Sequence, residues 1–243
     1  MSVLAVVLSS GGLDSTTVLG LAVKRFGAEN VVSVSTYYGQ KHDVELKCAR
    51  DVSEYYHVKH LELDLSEIFK FSNCPLLDKS TEKIEHLSYA EQIERDGEGM
   101  VRTYVPFRNG LLLSTVASVA MSLLEDGKHS KAVIFLGAHA DDAAGEAYAD
   151  CSKEFTDTMS KAISIGTYGK VEVEAPFVKI HKADIVELGL KLNVPYELTH
   201  SCYEGERPCC GTCGTCIDRI NAFKKNNAVD PVPYKINIDW EEK

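Results

Sequence analysis

No stretch of this 243-residue chain is apolar over the roughly 20 residues that a membrane-spanning helix requires. The apolar stretch at the start, LAVVLS, is short, has no basic segment before it and runs straight into a polar loop. It reads as a buried strand rather than a secretory signal, and the expected location is cytoplasmic. Positive charge is also scarce: 26 Lys and Arg stand against 36 Asp and Glu, a formal net charge of −10. Proteins whose main partner is tRNA or DNA usually display a basic face, because phosphate contacts dominate affinity. The acidic balance therefore favours small-molecule partners and argues against a direct nucleic-acid substrate. The loop G-x-x-x-x-G-K-[ST] of the P-loop hydrolases is missing. There is no internal repeat and no linker that would separate two large domains.

What is present is an alternation of strand-like and helix-like runs. Strands are expected at Leu4–Ser9, Val31–Tyr37, His60–Asp64, Ala132–Gly137 and Val171–Ala175. Helices are expected over Ser15–Arg25, Asp43–Tyr56, Gly110–Leu124, Lys153–Ile163 and Lys182–Leu192. This pattern predicts an α/β fold, a doubly wound parallel sheet of Rossmann-like type. Residues 1–197 are read as the α/β domain, and 198–243 as a small subdomain of cysteine-bearing loop, helix and tail. Residues 70–104 break the alternation with a mixed-charge run and read as a lid or insert, or as an exposed helical excursion. The tail after Asn227 alternates apolar and polar residues, which suits an added strand or packing on a partner chain.

The segment Ser9–Thr17, SSGGLDSTT, joins the first strand to the first helix. Gly tolerates the φ > 0 of such a turn and lets backbone approach phosphate oxygens. Ser10 and Ser15 add hydroxyls, and the amides of the helix's first turn point at an anion. With no lysine anchor and with Asp14 inside it, the loop suits pyrophosphate and a metal ion. Further candidates lie where other strands should end. Arg108, beside Asn109 as a plausible N-cap, can bind phosphate or carboxylate bidentately, or belong to an ordinary turn. Asp141 and Asp142 suit Mg²⁺, or form a solvated acidic turn. Asp150 offers acceptors that match paired N–H donors. Lys179 and Lys182, near a helix start, add positive charge to this region or form a solvated helix face.

Five of the eight cysteines fall between Cys202 and Cys216. Cys210-x-x-Cys213-x-x-Cys216 with Cys202 upstream supplies four thiolates at short spacing, as tetrahedral zinc requires. An iron–sulfur cluster is the alternative, although the fourth cysteine and proline of the ferredoxin run do not follow Cys216. Cys209 is set aside because the Cys210 register is cleaner. Four thiolates close the coordination shell, so the site reads as structural.

Ser10-Gly11-Gly12-Leu13-Asp14-Ser15 resembles the SGGxDS signature of the PP-loop ATP pyrophosphatases, of HUP-type fold. Together with VPFRN, GAHADD, YADC and SCYEGERPCCGTCGTC in that order, the chain resembles the 7-cyano-7-deazaguanine synthase (QueC) family over nearly its whole length. The resemblance implies an ATP-dependent C–N ligase of queuosine biosynthesis that converts 7-carboxy-7-deazaguanine and ammonia to the nitrile, preQ0. It implies ATP with Mg²⁺ as substrate, one structural Zn²⁺ per chain and a homodimer. Carried onto this sequence, it assigns Ser9, Ser10, Gly11, Gly12, Leu13, Asp14, Ser15, Thr16 and Thr17 to the nucleotide. Asp14, Ser15, Arg108, Asp141, Asp142 and Asp150 fall to catalysis, and Cys202, Cys210, Cys213 and Cys216 to the metal. Three positions depart from the family pattern: Ala149 and Ser152 stand where Pro and Arg are common, and His200 where Trp is. The readings held against it are a PP-loop tRNA-modifying thiolase and a QueC-like protein acting on a different acceptor.

Overall fold

The computed structural model describes residues 2–41, 44–97 and 99–241. The elements run β1 (Ser2–Leu8), α1 (Leu13–Phe26), β2 (Val31–Tyr37), α2 (Val44–Tyr55), β3 (Lys59–Asp64), α3 (Ser66–Phe69) and α4 (Tyr89–Asp96). They continue with α5 (Arg108–Leu123), β4 (His129–Phe135), α6 (Ala140–Ala143), α7 (Lys153–Gly166), β5 (Val171–Glu174), α8 (Lys182–Leu192) and α9 (Gly214–Lys225). Asp43, the expected start of the second helix, lies outside the described residues.

All pairings in the five-stranded sheet are parallel, in the order β3-β2-β1-β4-β5. Side chains alternate across a strand, and β1 is buried on both faces. Leu4, Val6 and Leu8 pack with Leu113, Val116 and Ala120 of α5 and Ile163 of α7. Ala5 and Val7 pack with Val18 and Leu19 of α1, Ile185 of α8 and Phe223 of α9. The chain therefore winds outward from β1 over one face and from β4 over the other. The two directions part between the carboxyl ends of β1 and β4, where an open sheet of this kind binds ligands.

Element boundaries shift where hydrogen bonding outruns hydrophobicity. β4 starts at His129, three polar residues before the apolar run, because the ladder to β1 already begins there. α1 starts at Leu13 rather than Ser15, and α5 at Arg108. Phe107, with φ 52, occupies the cap position of α5, so Asn109 is its second residue and not its cap. Ser152 caps α7, accepting the N–H of Phe155 at 3.2 Å. That gives the residue which departs from the family pattern a local role.

Residues 70–104 carry the helix α4. His86 ties this segment to the cysteine loop through Thr212 and Glu204. Among the described residues the tail builds no strand of the sheet; it makes an isolated parallel bridge, Cys209 with Tyr234, and packs Val232 against the cysteines. Arg219 and Asp230 form a buried bidentate ion pair, Nε to Oδ2 at 2.6 Å and Nη2 to Oδ1 at 2.9 Å. It fastens α9 to the tail.

Candidate active site and metal centre

A cavity of about 230 Å³ opens at the switch point between β1 and β4. Its floor is the loop between β1 and α1. Gly11 has φ +78, and a Cβ there would lie 2.3 Å from the Glu45 carbonyl of α2, so both conformation and space demand glycine. The loop is tied to itself. Ser15 Oγ accepts the Ser10 N–H at 3.1 Å, and Ser10 Oγ accepts the Gly12 N–H at 3.3 Å. No side chain caps α1 at Gly12, so its first-turn amides are left for a ligand. Ser9, Ser10, Gly12, Leu13, Asp14 and Ser15 line the cavity. Gly11 shapes the loop from behind. Thr16 and Thr17 do not line the cavity: the earlier helix start carries both into the core, where Thr17 Oγ1 pairs with Tyr196 at 2.9 Å.

Beside the loop stands a charged group assembled from three elements. Asp14 Oδ2 of α1 lies 3.4 Å from Lys182 Nζ of α8, and His139 Nε2 lies 3.3 Å from Asp142 Oδ2. Burial alone would lower the pKa of Lys182, but Asp14 and then Asp142 hold it above the ordinary lysine value, so the ammonium stays charged. Asp14, Asp142 and Lys182 line the cavity. Asp14 Oδ1 is a buried oxygen with no hydrogen-bond donor, a position that suits a cation or its water. Asp141 separates from its neighbour: it caps α8, accepting the Lys182 N–H at 2.8 Å and pairing with His181 Nδ1 at 2.6 Å. It does not line the cavity; its carboxylate, expected at Mg²⁺ or the nucleotide, anchors the start of α8. Lys179 is exposed, whereas Lys182 is buried and not part of a solvated helix face.

The opposite part of the cavity is built on the first turn of α5. Arg108 Nη1 donates to the Tyr38 hydroxyl at 3.1 Å, and its guanidinium stands 5.3 Å from the centre of that ring. Arg108, Asn109, Tyr38, Gln40, Cys151 and Tyr203 line this part. Asp150 lies beneath it, 4% exposed. Its Oδ2 accepts the Asn109 N–H at 2.9 Å, and its carbonyl accepts from Asn109 Nδ2 at 3.2 Å. Burial raises the pKa of Asp150, against the pull of the Asn109 amide and Arg108. The carboxylate thus serves the N-terminus of α5 and fixes the residue that reaches the cavity. Burial also holds the Cys151 thiol well above its ordinary value, which leaves it a neutral lining group.

The cysteine loop closes the cavity from the C-terminal side through His200, Ser201, Tyr203 and Thr215. Cys202, Cys210, Cys213 and Cys216 are buried, with their Sγ atoms all within 4.8 Å of one another. The Sγ of Cys210 accepts the N–H groups of Thr212 at 3.4 Å and Cys213 at 3.3 Å. Cys202 is held far below the usual thiol range, because Cys209, Cys213 and Cys216 donate to it. Four buried sulfurs this close together are the donor set a soft cation satisfies. The four residues expected from spacing therefore meet. Cys209 is also there, grouped with His200 and Cys202 in a second set within 4.8 Å. His200 is fully buried; its backbone N–H donates to the Gly11 carbonyl at 2.9 Å, joining the cysteine loop to the phosphate loop.

Tyr38 had no recognisable signal in the sequence, since it owes its place to packing between distant elements; His139 and Ser201 lie inside the GAHADD and SCYEGERPCC runs, but no role was read from either. Lys182 had one: it is the first residue of a helix that follows a strand end.

Known proteins resemble this chain along nearly its whole length. The chain is 44% identical over 239 residues to a 7-cyano-7-deazaguanine synthase of Caldicellulosiruptor saccharolyticus, covering 98% of this chain and 99% of that one. It is 41% identical to proteins of the same name from Caldicellulosiruptor bescii, over 97% of this chain and 99% of that one, and Archaeoglobus fulgidus, over 94% and 89%. Residues 4–227 match the family model described as queuosine biosynthesis protein QueC, and with a relative this similar along nearly its entire length the chain belongs to the QueC family.

Proposed function

We propose that the protein converts 7-carboxy-7-deazaguanine and ammonia to 7-cyano-7-deazaguanine with two molecules of ATP. The observation that carries this reading is the near full-length similarity to synthases of that name, joined to a cavity with a phosphate loop on one side and an arginine on the other. A carboxylate is a poor electrophile. Its oxygen attacks the α-phosphorus of ATP, pyrophosphate leaves, and the acyl carbon now bears AMP as leaving group. Ammonia adds at that carbon and expels AMP, giving the amide. The amide oxygen then attacks a second ATP, and loss of AMP and a proton from the imidate leaves the nitrile.

Both activations develop charge on departing pyrophosphate. Ser10, Gly12 and the first-turn amides of α1 would receive its oxygens, and Lys182 would offset its charge, already oriented by Asp14. Magnesium accompanying ATP would fall to Asp14 and Asp142; when bound it withdraws charge from the phosphates. Arg108 would hold the purine-like substrate or its carboxylate, with Asp150 setting Arg108 rather than touching substrate. The metal of the cysteine site is zinc in this reading. It would keep the wall formed by residues 200–215 in place. The reading includes a homodimer, supported by the apolar side chains Ile165 and Tyr168, 73% and 89% exposed; light scattering tests it. No helix among the described residues is long and apolar enough to cross a membrane.

Incubation of the metal-replete protein with MgATP, ammonium and 7-carboxy-7-deazaguanine, followed by mass spectrometry, should yield the nitrile and AMP in a ratio of one to two. Amide alone would limit the enzyme to the first activation. Absence of any product would reject the synthase reading. Elemental analysis should find zinc, and visible absorption from iron would favour the thiolase alternative.

A further inference from the structure

Arg219 of α9 sits beneath the cysteine loop, and each of its N–H donors has an acceptor. Nε donates to Asp230 Oδ2 at 2.6 Å; Nη2 donates to Asp230 Oδ1 at 2.9 Å and the Tyr196 carbonyl at 3.3 Å. Nη1 donates to Thr199 Oγ1 at 2.7 Å and Ser201 Oγ at 3.3 Å. Guanidinium has five such donors and no acceptor, so both hydroxyls must accept from it. Their own protons then have to go elsewhere. The Thr199 hydroxyl donates a hydrogen bond to the Tyr196 carbonyl at 2.7 Å, which closes that branch. For Ser201 no acceptor exists among the described residues, and the side chain lines the cavity. A Cβ on Gly12 would stand 3.3 Å from Ser10 Oγ and 3.9 Å from Ser201 Oγ, so the two hydroxyls flank the same glycine of the phosphate loop.

We infer that Ser201 is a phosphate-binding residue whose hydroxyl is turned toward the nucleotide by Arg219. The inference rests on the reading of the cavity as the ATP site. Ser201 donates to an oxygen of the phosphate chain lying over Gly12, from the wall facing the loop's own amides. Arg219 is a positioning residue. It fixes the lone pair of Ser201 as its acceptor, so the hydroxyl arrives already oriented. Because Ser201 precedes Cys202, a metal ligand, the same short segment serves both centres.

Titration calorimetry of the metal-replete full chain with Mg²⁺ and α,β-methylene-ATP compares wild type, Ser201→Ala and Ser201→Thr. Loss of one hydrogen bond to a charged acceptor should weaken binding about 10-fold in Ser201→Ala, and Ser201→Thr should recover most of it. The KM for the carboxylate substrate should stay as in wild type. Arg219→Lys should weaken nucleotide binding in the wild-type background and not in the Ser201→Ala background, a coupling that general loosening of the fold would not give. Equal affinity of wild type and Ser201→Ala overturns the inference, as does weak binding accompanied by loss of metal. A wild type that fails to bind nucleotide overturns the reading of the cavity, and the inference with it.

Discussion

Asp14 Oδ2 and Lys182 Nζ stand 3.4 Å apart across the floor of the cavity, one on the first turn of α1 and the other on the first turn of α8. The ion pair is local to the ligand cavity, so its lysine can turn from the carboxylate to departing pyrophosphate without crossing a protein interior. Lys182→Ala should therefore lower kcat by about 10²–10³-fold while leaving the melting temperature within a few degrees. Steady-state kinetics beside a thermal melt checks both. An unchanged kcat would remove Lys182 from the reaction.

Asp150 caps α5 and so sets Arg108. Its replacement by Ala should cost about 1–2 kcal/mol of stability, as for loss of a helix cap. It should also raise the KM for the carboxylate substrate more than that for ATP. Asp150→Asn keeps an acceptor for the Asn109 amide and should retain most of the stability. Chemical denaturation with both KM values distinguishes this from direct reading of the base, in which Asn would be as damaging as Ala.

Removing the metal should be felt at the nucleotide. The His200 N–H holds the Gly11 carbonyl at 2.9 Å, and that geometry depends on the loop the cysteines gather. Cys213→Ser, or exhaustive chelation, should lower the unfolding temperature. ATP affinity should fall about 5-fold, in line with roughly 1 kcal/mol for one backbone hydrogen bond. Affinity for ATP that is unaltered in metal-free protein would show the two loops to be independent.

The Asp141–His181 pair should titrate from both sides. His181 is raised above the ordinary 6.5 chiefly by its hydrogen bond to Asp141, so its contribution is complete below 6.5 and fades as pH climbs through the raised value. Burial opposes ionisation of Asp141, yet the Lys182 amide and His181 hold it below the ordinary 3.8. Its contribution is present above 3.8 and fades as pH falls through the lowered value. NMR titration should place the His181 ring above 6.5 in the wild type and near 6.5 in Asp141→Asn.

Much of this organisation could be read from the chain itself. The apolar runs of β1, β2 and β4 announce strands buried on two faces, and the turn chemistry of SSGGLDS locates the phosphate loop. The spacing of Cys210, Cys213 and Cys216 foretells that their sulfurs gather in one place. Other features were illegible for a physical reason. Asp141 and Asp142 are chemically identical neighbours, and only the single turn of α6 sends one to α8 and the other to the cavity. Thr16 and Thr17 look like loop residues until the helix is seen to start at Leu13. Lys182 has the sequence signature of a solvated helix end, and the partner of its ammonium, Asp14, is far away in the chain.

Gly11 is held on both sides, by the backbone of α2, which leaves no room for a Cβ, and by the His200 amide on its carbonyl. A loop held this way has almost no conformational freedom left to lose when a nucleotide arrives. In the proposed reaction its ordering entropy is met once, at folding, rather than at each of two successive adenylations. On that reading the second activation meets a loop already in place.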